Sequence, residues 1–218
     1  MALILFIDTS TRNCSIALCE NGQVLSLREE MDTQSHAKLV HPFIAEVMKE
    51  ANKEMKDLDA VVVAGGPGSY TGLRIGMSCA KGICYALDLP FIVLDTLEAL
   101  SSEMIRKSND KNGIYIATLD SRKGEIYYCI TDGMGNVLEA SRPAIVSEIN
   151  WSCYQDKVIY IAGNTNEKLL SLKLELKIND IFVKYSAKNY IKKGFNNLEL
   201  KHLDDLVYME PNYLKPFK

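Results

Sequence analysis

No Cys-x-x-Cys pair occurs in the 218 residues, and none of the three histidines stands at ligand spacing from a cysteine. The common zinc and thiol-redox frameworks are therefore excluded. There is no His-Glu-x-x-His, which removes the zincin type of metallopeptidase. His36 and His41 lie about 140° apart around a helix, too far to share a metal, and His202 is isolated. No metal site is expected. No apolar run reaches transmembrane length. The apolar start Met1–Ile7 lacks a charged lead, ends at Asp8, and reads as a strand rather than a secretory leader. Basic charge is also lacking. Lys+Arg total 25 against 28 Asp+Glu, a formal net charge of −3, which argues against a chain that binds nucleic acid by itself. The six cysteines, Cys14, Cys19, Cys79, Cys84, Cys129 and Cys153, read as buried reduced thiols of a cytoplasmic protein.

What is present is ordinary globular composition, 47% hydrophobic and 24% charged, enough for one large domain or two small lobes. The most informative stretch is Gly65-Gly66-Pro67-Gly68-Ser69-Tyr70-Thr71-Gly72-Leu73-Arg74-Ile75-Gly76. A β-branched run, Ala60–Ala64, precedes it, and a helix-length segment to about Leu87 follows, with Ser69 as N-cap. Strand, glycine loop and helix in that order can hold an anion. The loop nonetheless lacks the Lys-Ser/Thr of a Walker A motif, and Gly66, Gly68 and Gly72 miss the dinucleotide spacing.

Gly68, Gly72, Gly76, Ala80 and Cys84 recur every four residues, a stripe of small side chains on one face of the helix. Each interior glycine costs roughly 0.8–1 kcal/mol against alanine, so a compensating contact is expected. Two readings stand, and both can hold if different faces are used: close packing on the chain's own sheet, or a helix of another subunit lying against this one. Tyr70, Arg74, Met77 and Lys81 form a second stripe of the large, adhesive kind enriched at interfaces.

Taken in order, Leu3–Ile7, Cys14–Cys19 and Val24–Arg28 read as strands, with an Asn21-Gly22 hairpin between the last two. Ser35 to about Asn52 reads as an amphipathic helix containing Pro42, Phe91–Leu94 as a strand, and Thr96–Lys107 as a helix. The pattern then restarts. Ile114–Asp120 echoes Ile4–Asp8, Glu125–Thr131 echoes the second strand, and Asp132-Gly133-Met134-Gly135 echoes the hairpin. The repeat of about a hundred residues implies a duplicated unit, with lobes at 1–108 and 109–218, the second one reduced. In that second lobe Pro143–Tyr154 reads as irregular, Val158–Ile161 as a strand, Asn164–Leu172 as a helix, Ala187–Lys193 as a short helix, and Met209–Pro216 as an extended end. Lys184, Lys188, Lys192, Lys193 and Lys201 make a mildly basic segment, read either as solvated lysines or as an RNA-backbone contact.

A duplicated meander-and-helix unit with Asp at the first strand–hairpin junction resembles the actin-like ATPase (RNase H-like) α/β fold. The match is closer to the TsaB (YeaZ) family. It is carried by Ile7-Asp8-Thr9-Ser10, Ser35-His36, the stretch from Gly66 to Gly76, Ala80-Lys81-Gly82, Leu119-Asp120-Ser121 through Tyr127, and Pro211-Asn212-Tyr213-Leu214-Lys215. Tyr70 stands where the family usually has Phe, and Lys215 where it has Arg, which loses a planar fork.

The resemblance implies a non-catalytic subunit. Such a subunit dimerises with a TsaD-like catalytic homologue, joins a TsaE-like ATPase, and serves N6-threonylcarbamoyladenosine formation at adenosine 37 of tRNA. It implies no catalytic residue and self-pairing when the partner is absent. Tyr70, Thr71, Gly72, Arg74, Gly76, Met77 and Lys81 are expected to face the partner. Asp8, Thr9, Ser10, Gly66, Gly68 and Asp120 mark a vestigial nucleotide site, with at most weak ATP or ADP binding and no cofactor. The residues themselves agree. Neither Asp8–Arg12 nor Asp120–Lys123 contains the glycine that close approach to phosphate requires. The alternative is a small actin-like-fold ATPase or phosphotransferase.

Overall fold

The computed structural model describes residues 2–31, 35–121, 124–149, 152–154, 156–165 and 177–214. The chain separates into two compact units, Met1–Thr96 with Tyr185–Tyr213, and Leu97–Lys184 with Leu214–Lys218. This differs from the 1–108 and 109–218 division expected from the sequence in two places. The helix beginning at Thr96 belongs to the second unit, where Ser108 at its end hydrogen-bonds Tyr115 and Lys107 donates to the Phe182 carbonyl at 2.8 Å. The segment after Tyr185 returns to the first unit, tied there by Asn13 Nδ2 donating to the Tyr185 carbonyl at 2.7 Å.

In the first unit β1 (Leu3–Asp8), β2 (Cys14–Glu20) and β3 (Gln23–Glu30) form an antiparallel meander. β4 (Ala60–Gly66) and β5 (Phe91–Asp95) then continue in parallel, giving the order β3-β2-β1-β4-β5. The Asn21-Gly22 turn has both φ angles positive, 50° and 81°, the twist a two-residue hairpin needs. β1 and β4 are buried along their whole length, because helices cover both faces of the sheet. On one face α1 (His36–Glu50) and α2 (Tyr70–Leu87) pack Val40, Ile44, Val47, Met77 and Ala80 against Leu5, Ile7, Ile16, Val61 and Val63. Pro42 lies inside α1 without ending it.

On the other face the turn Ala187–Tyr190 leads into α4 (Ile191–Glu199). Its Gly194 lies so close to the sheet that an added Cβ would be 2.6 Å from the Phe6 ring. The remaining chain runs back along the sheet edge. The Asp204 N–H donates to the Phe91 carbonyl at 2.9 Å, and its carboxylate accepts from the Val93 N–H at 2.7 Å, so the open edge of β5 is covered.

The second unit repeats the plan. β6 (Ile114–Asp120), β7 (Glu125–Asp132) and β8 (Val137–Ile145) form the meander. β9 (Val158–Gly163) and β10 (Lys177–Asp180) are parallel to β6, in the order β10-β9-β6-β7-β8. α3 (Thr96–Ser108) precedes it. The duplication read from the sequence is thus present as two sheets of one topology. β8 continues through Pro143, expected to be irregular, and pairs it with Tyr127. An edge strand tolerates a proline because one row of its N–H groups needs no partner. β10 was missed. The helix expected at Asn164–Leu172 extends outside the described residues.

Candidate docking face and closed phosphate loop

Ser69 caps α2 as expected, its Oγ accepting from the Gly72 N–H at 3.2 Å. The small-residue stripe, however, points into the chain's own first unit. A Cβ on Gly68 would be 2.3 Å from the Ser10 carbonyl, one on Gly72 2.1 Å from the Thr9 carbonyl, and one on Gly76 2.3 Å from Thr9 Oγ1. Ala80 and Cys84 are fully buried. The glycines let α2 lie directly on the Asp8–Ser10 loop, fixed by Thr9 Oγ1 donating to the Gly72 carbonyl at 2.7 Å and the Ser69 N–H donating to the Ser10 carbonyl at 2.6 Å. Close packing on the chain's own sheet is therefore the reading that holds. Gly72, Gly76 and Met77, expected to face a partner, are buried inside the unit. The sequence pattern marked a close approach without saying what approaches.

The remaining expected interface residues do reach the surface. Tyr70, Thr71 and Arg74 are exposed and Lys81 is half-buried. Tyr70, Thr71 and Arg74 border an open groove of about 820 Å³ between α1 and α2, whose floor and walls include Val40, His41, Ile75, Cys79, Gly82 and Ile83. Sequence reasoning missed most of these. Gly82 carried the best available signal: it is a helical glycine off the buried stripe, and an added Cβ there would meet nothing within 4 Å. Cys79 Sγ lies 3.8 Å from His41 Nδ1, and burial pushes this thiol up to about 11, the opposite of an activated nucleophile. His36 is buried at the start of α1, its Nε2 2.8 Å from the Thr11 carbonyl oxygen, a structural contact. Among the described residues no group of three His, Cys, Asp or Glu side chains is placed to hold a metal. No helix among them is long and apolar enough to cross a membrane.

Of the expected nucleotide positions, Asp8, Thr9, Ser10, Gly66 and Gly68 come together at one end of the first sheet, while Asp120 lies in the second unit. Each of the five is occupied by the chain itself. Asp8 Oδ1 accepts from the Ser10 N–H at 2.9 Å and the Ser10 Oγ at 2.6 Å. Burial drives the Asp8 carboxyl above its ordinary pKa, against the lowering effect of those hydrogen bonds. The buried Tyr190 phenol is raised likewise, by burial first and then by the charge of Asp8. Gly66, at φ +111°, sits under the C-terminal segment, and a Cβ there would be 2.9 Å from the Asn212 carbonyl oxygen. The Asn212 N–H in turn donates to the Gly65 carbonyl at 2.7 Å. In the second unit the equivalent Gly163 is closed off by Thr118, whose carbonyl would be 1.9 Å from an added Cβ.

Comparison with known proteins agrees with this duplicated architecture. The family described as "TsaD: tRNA N6-adenosine threonylcarbamoyltransferase" matches residues 29–179. The chain belongs to that family, on its TsaB (YeaZ) side. It is 32% identical over 125 residues to the tRNA threonylcarbamoyladenosine biosynthesis protein TsaB of Haemophilus influenzae, a match covering 57% of this chain and 52% of the relative. The chain thus spans about half the length of the curated relative it matches.

The fold is similar to a Pseudomonas aeruginosa protein described as resembling peptidase YeaZ, with a TM-score of 0.85 at 21% identity, covering 99% of this chain and 100% of that one. It is also similar to an inorganic polyphosphate/ATP-glucomannokinase from Arthrobacter sp. strain KM, with a TM-score of 0.54 at 12% identity, covering 93% and 100%. The TsaB-family chain therefore has the actin-like ATPase fold, duplicated.

Proposed function

We propose that this chain is a non-catalytic subunit in the formation of N6-threonylcarbamoyladenosine in tRNA. It docks a TsaD-like homologue on the α1–α2 face and holds it in its active form, within an assembly that also takes in a TsaE-like ATPase and tRNA. The observation that carries the reading is the pairing of a filled phosphate loop with an open apolar groove. Where a working enzyme of this fold needs free N–H groups around a phosphate, Ser10 and Asn212 already sit against Gly68 and Gly66. Any residual ATP or ADP binding is then weak. The groove, in contrast, offers unfilled apolar surface between two helices. A second chain of the same fold carries a helix pair that can fill it, and without such a partner the face pairs with its own copy.

Reconstitution tests this. Purified TsaD-like and TsaE-like proteins, the enzyme that makes the threonylcarbamoyl adduct, ATP, threonine, bicarbonate and tRNA are combined with and without the chain, and modified adenosine is scored by mass spectrometry. Product is expected only when the chain is present, with no turnover by the chain alone. Equal product without it overturns the proposal. Gly82→Leu supplies the interface arm, since the position is open toward the groove and a leucine there fills the docking space without touching the core. It should abolish product and the mixed dimer together. Gly76→Leu is unsuitable, because its side chain would collide with Thr9.

A further inference from the structure

The C-terminal segment 204–213 touches both features of the first unit. At one end it lies on the β5 edge through Asp204. In the middle, Lys81 Nζ on α2 donates to the Val207 carbonyl at 3.1 Å. At Asn212 it closes the glycine loop, with its N–H on the Gly65 carbonyl at 2.7 Å. One residue later Tyr213 reaches the rim of the groove. Its ring lies 4.9 Å from that of Tyr70, and its hydroxyl oxygen accepts from Arg74 Nε at 3.0 Å. The Arg74 guanidinium is in turn 4.2 Å from the centre of the Tyr70 ring.

Tyr70 and Arg74 are groove-lining residues, each long enough to take several rotamers when unsupported. A planar guanidinium held between an aromatic face and a hydroxyl acceptor loses that freedom before any partner arrives, and a surface ordered in advance binds more tightly.

We propose that segment 204–213 is a docking strap. Seated on the glycine loop by Asn212, it uses Tyr213 to fix Tyr70 and Arg74 in the geometry that receives a second chain of this fold. Tyr213 is thus a positioning residue of the interface. The inference rests on the function proposed above and adds a reciprocal consequence. If the seated strap favours docking, docking must favour the seated strap by the same factor.

The test uses the full chain and its purified TsaD-like homologue. Affinity is measured by biolayer interferometry for wild type, Tyr213→Ala and Tyr213→Phe. Hydrogen exchange at the Asn212 amide is followed in the free chain and in the complex. Tyr213→Ala should weaken docking about tenfold. Tyr213→Phe keeps the tilted ring contact but loses the hydroxyl acceptor, and should weaken it about threefold. Asn212 exchange should slow on docking.

Wild-type affinity in a folded Tyr213→Ala chain overturns the inference. So does Asn212 exchange that is unchanged by the partner, a readout that needs no variant and stands even if Tyr213→Ala fails to fold. Absence of docking by the wild-type chain overturns the proposed function and this inference together. Docking indifferent to Tyr213 overturns this inference alone.

Discussion

Asp8 ends β1 at the first strand–hairpin junction, where it is 1% exposed and bonded to its own loop. Its raised pKa, caused first by burial and also by the charge of Glu29, has a definite sign for stability. The folded chain binds the proton more tightly than the unfolded one, whose Asp titrates near about 3.9. Stability is therefore greatest below that value and falls as pH rises through the raised folded value. Asp8→Asn keeps an oxygen for the Ser10 N–H and hydroxyl while removing the buried charge. Its urea midpoint should exceed that of wild type at neutral pH, and the difference should shrink as the pH is lowered toward 4. Parallel urea titrations of both chains at the two pH values check this, and a constant gap would contradict it.

Within α2 the same residue type has two opposite uses. Gly72 and Gly76 are contact glycines, where a methyl would overlap the Thr9 backbone or hydroxyl. Alanine at either should destabilise by about 1–3 kcal/mol, the usual range for overpacking a filled core. Gly82 has no such neighbour, and Gly82→Ala should stabilise the isolated chain by about 0.8–1 kcal/mol, the helix-propensity difference. Denaturant unfolding of the three single variants separates the cases, and a destabilising Gly82→Ala would show that its open side is not open. The strap belongs to this scale too. It has no regular secondary structure of its own and is held by contacts to β5, the glycine loop and α2, so it is expected to exchange faster than the sheet in the free chain.

For the whole molecule, the cysteines report how completely the two sheets are enclosed. Cys14, Cys19, Cys79, Cys84 and Cys129 are buried and Cys153 is exposed. Burial pushes Cys14, Cys19 and Cys84 up to about 12, so at neutral pH they are both inaccessible and fully protonated. A thiol-reactive dye should therefore label the native chain at Cys153 alone and all six thiols after unfolding. Rapid labelling of a second thiol in the native state would mean that one of the units opens.

Sequence alone determined the order of elements up to β9, the duplication and the absence of metal-site and phosphate-site motifs, because each is written locally, whereas the short β10 (Lys177–Asp180) left no such mark. Apolar runs ended by Asp mark β1 and β6, Asn21-Gly22 marks the hairpin, and Ser69 marks the start of α2. The four-residue recurrence of small residues told that α2 is closely approached, a property of the helix itself. Only the tertiary structure decided by what. Residues Thr9 and Ser10, some sixty positions earlier, and not a neighbouring subunit, fill the space beside Gly72, Gly76 and Gly68. The groove came into view for the same reason, since its two walls belong to different helices. The strap was least legible of all: Arg74 and Tyr213 are 139 residues apart, and an irregular segment of mixed apolar and polar residues carries no periodicity that says where it will lie. Local pattern fixes what each segment becomes, while long-range packing fixes which of its faces remains free to act.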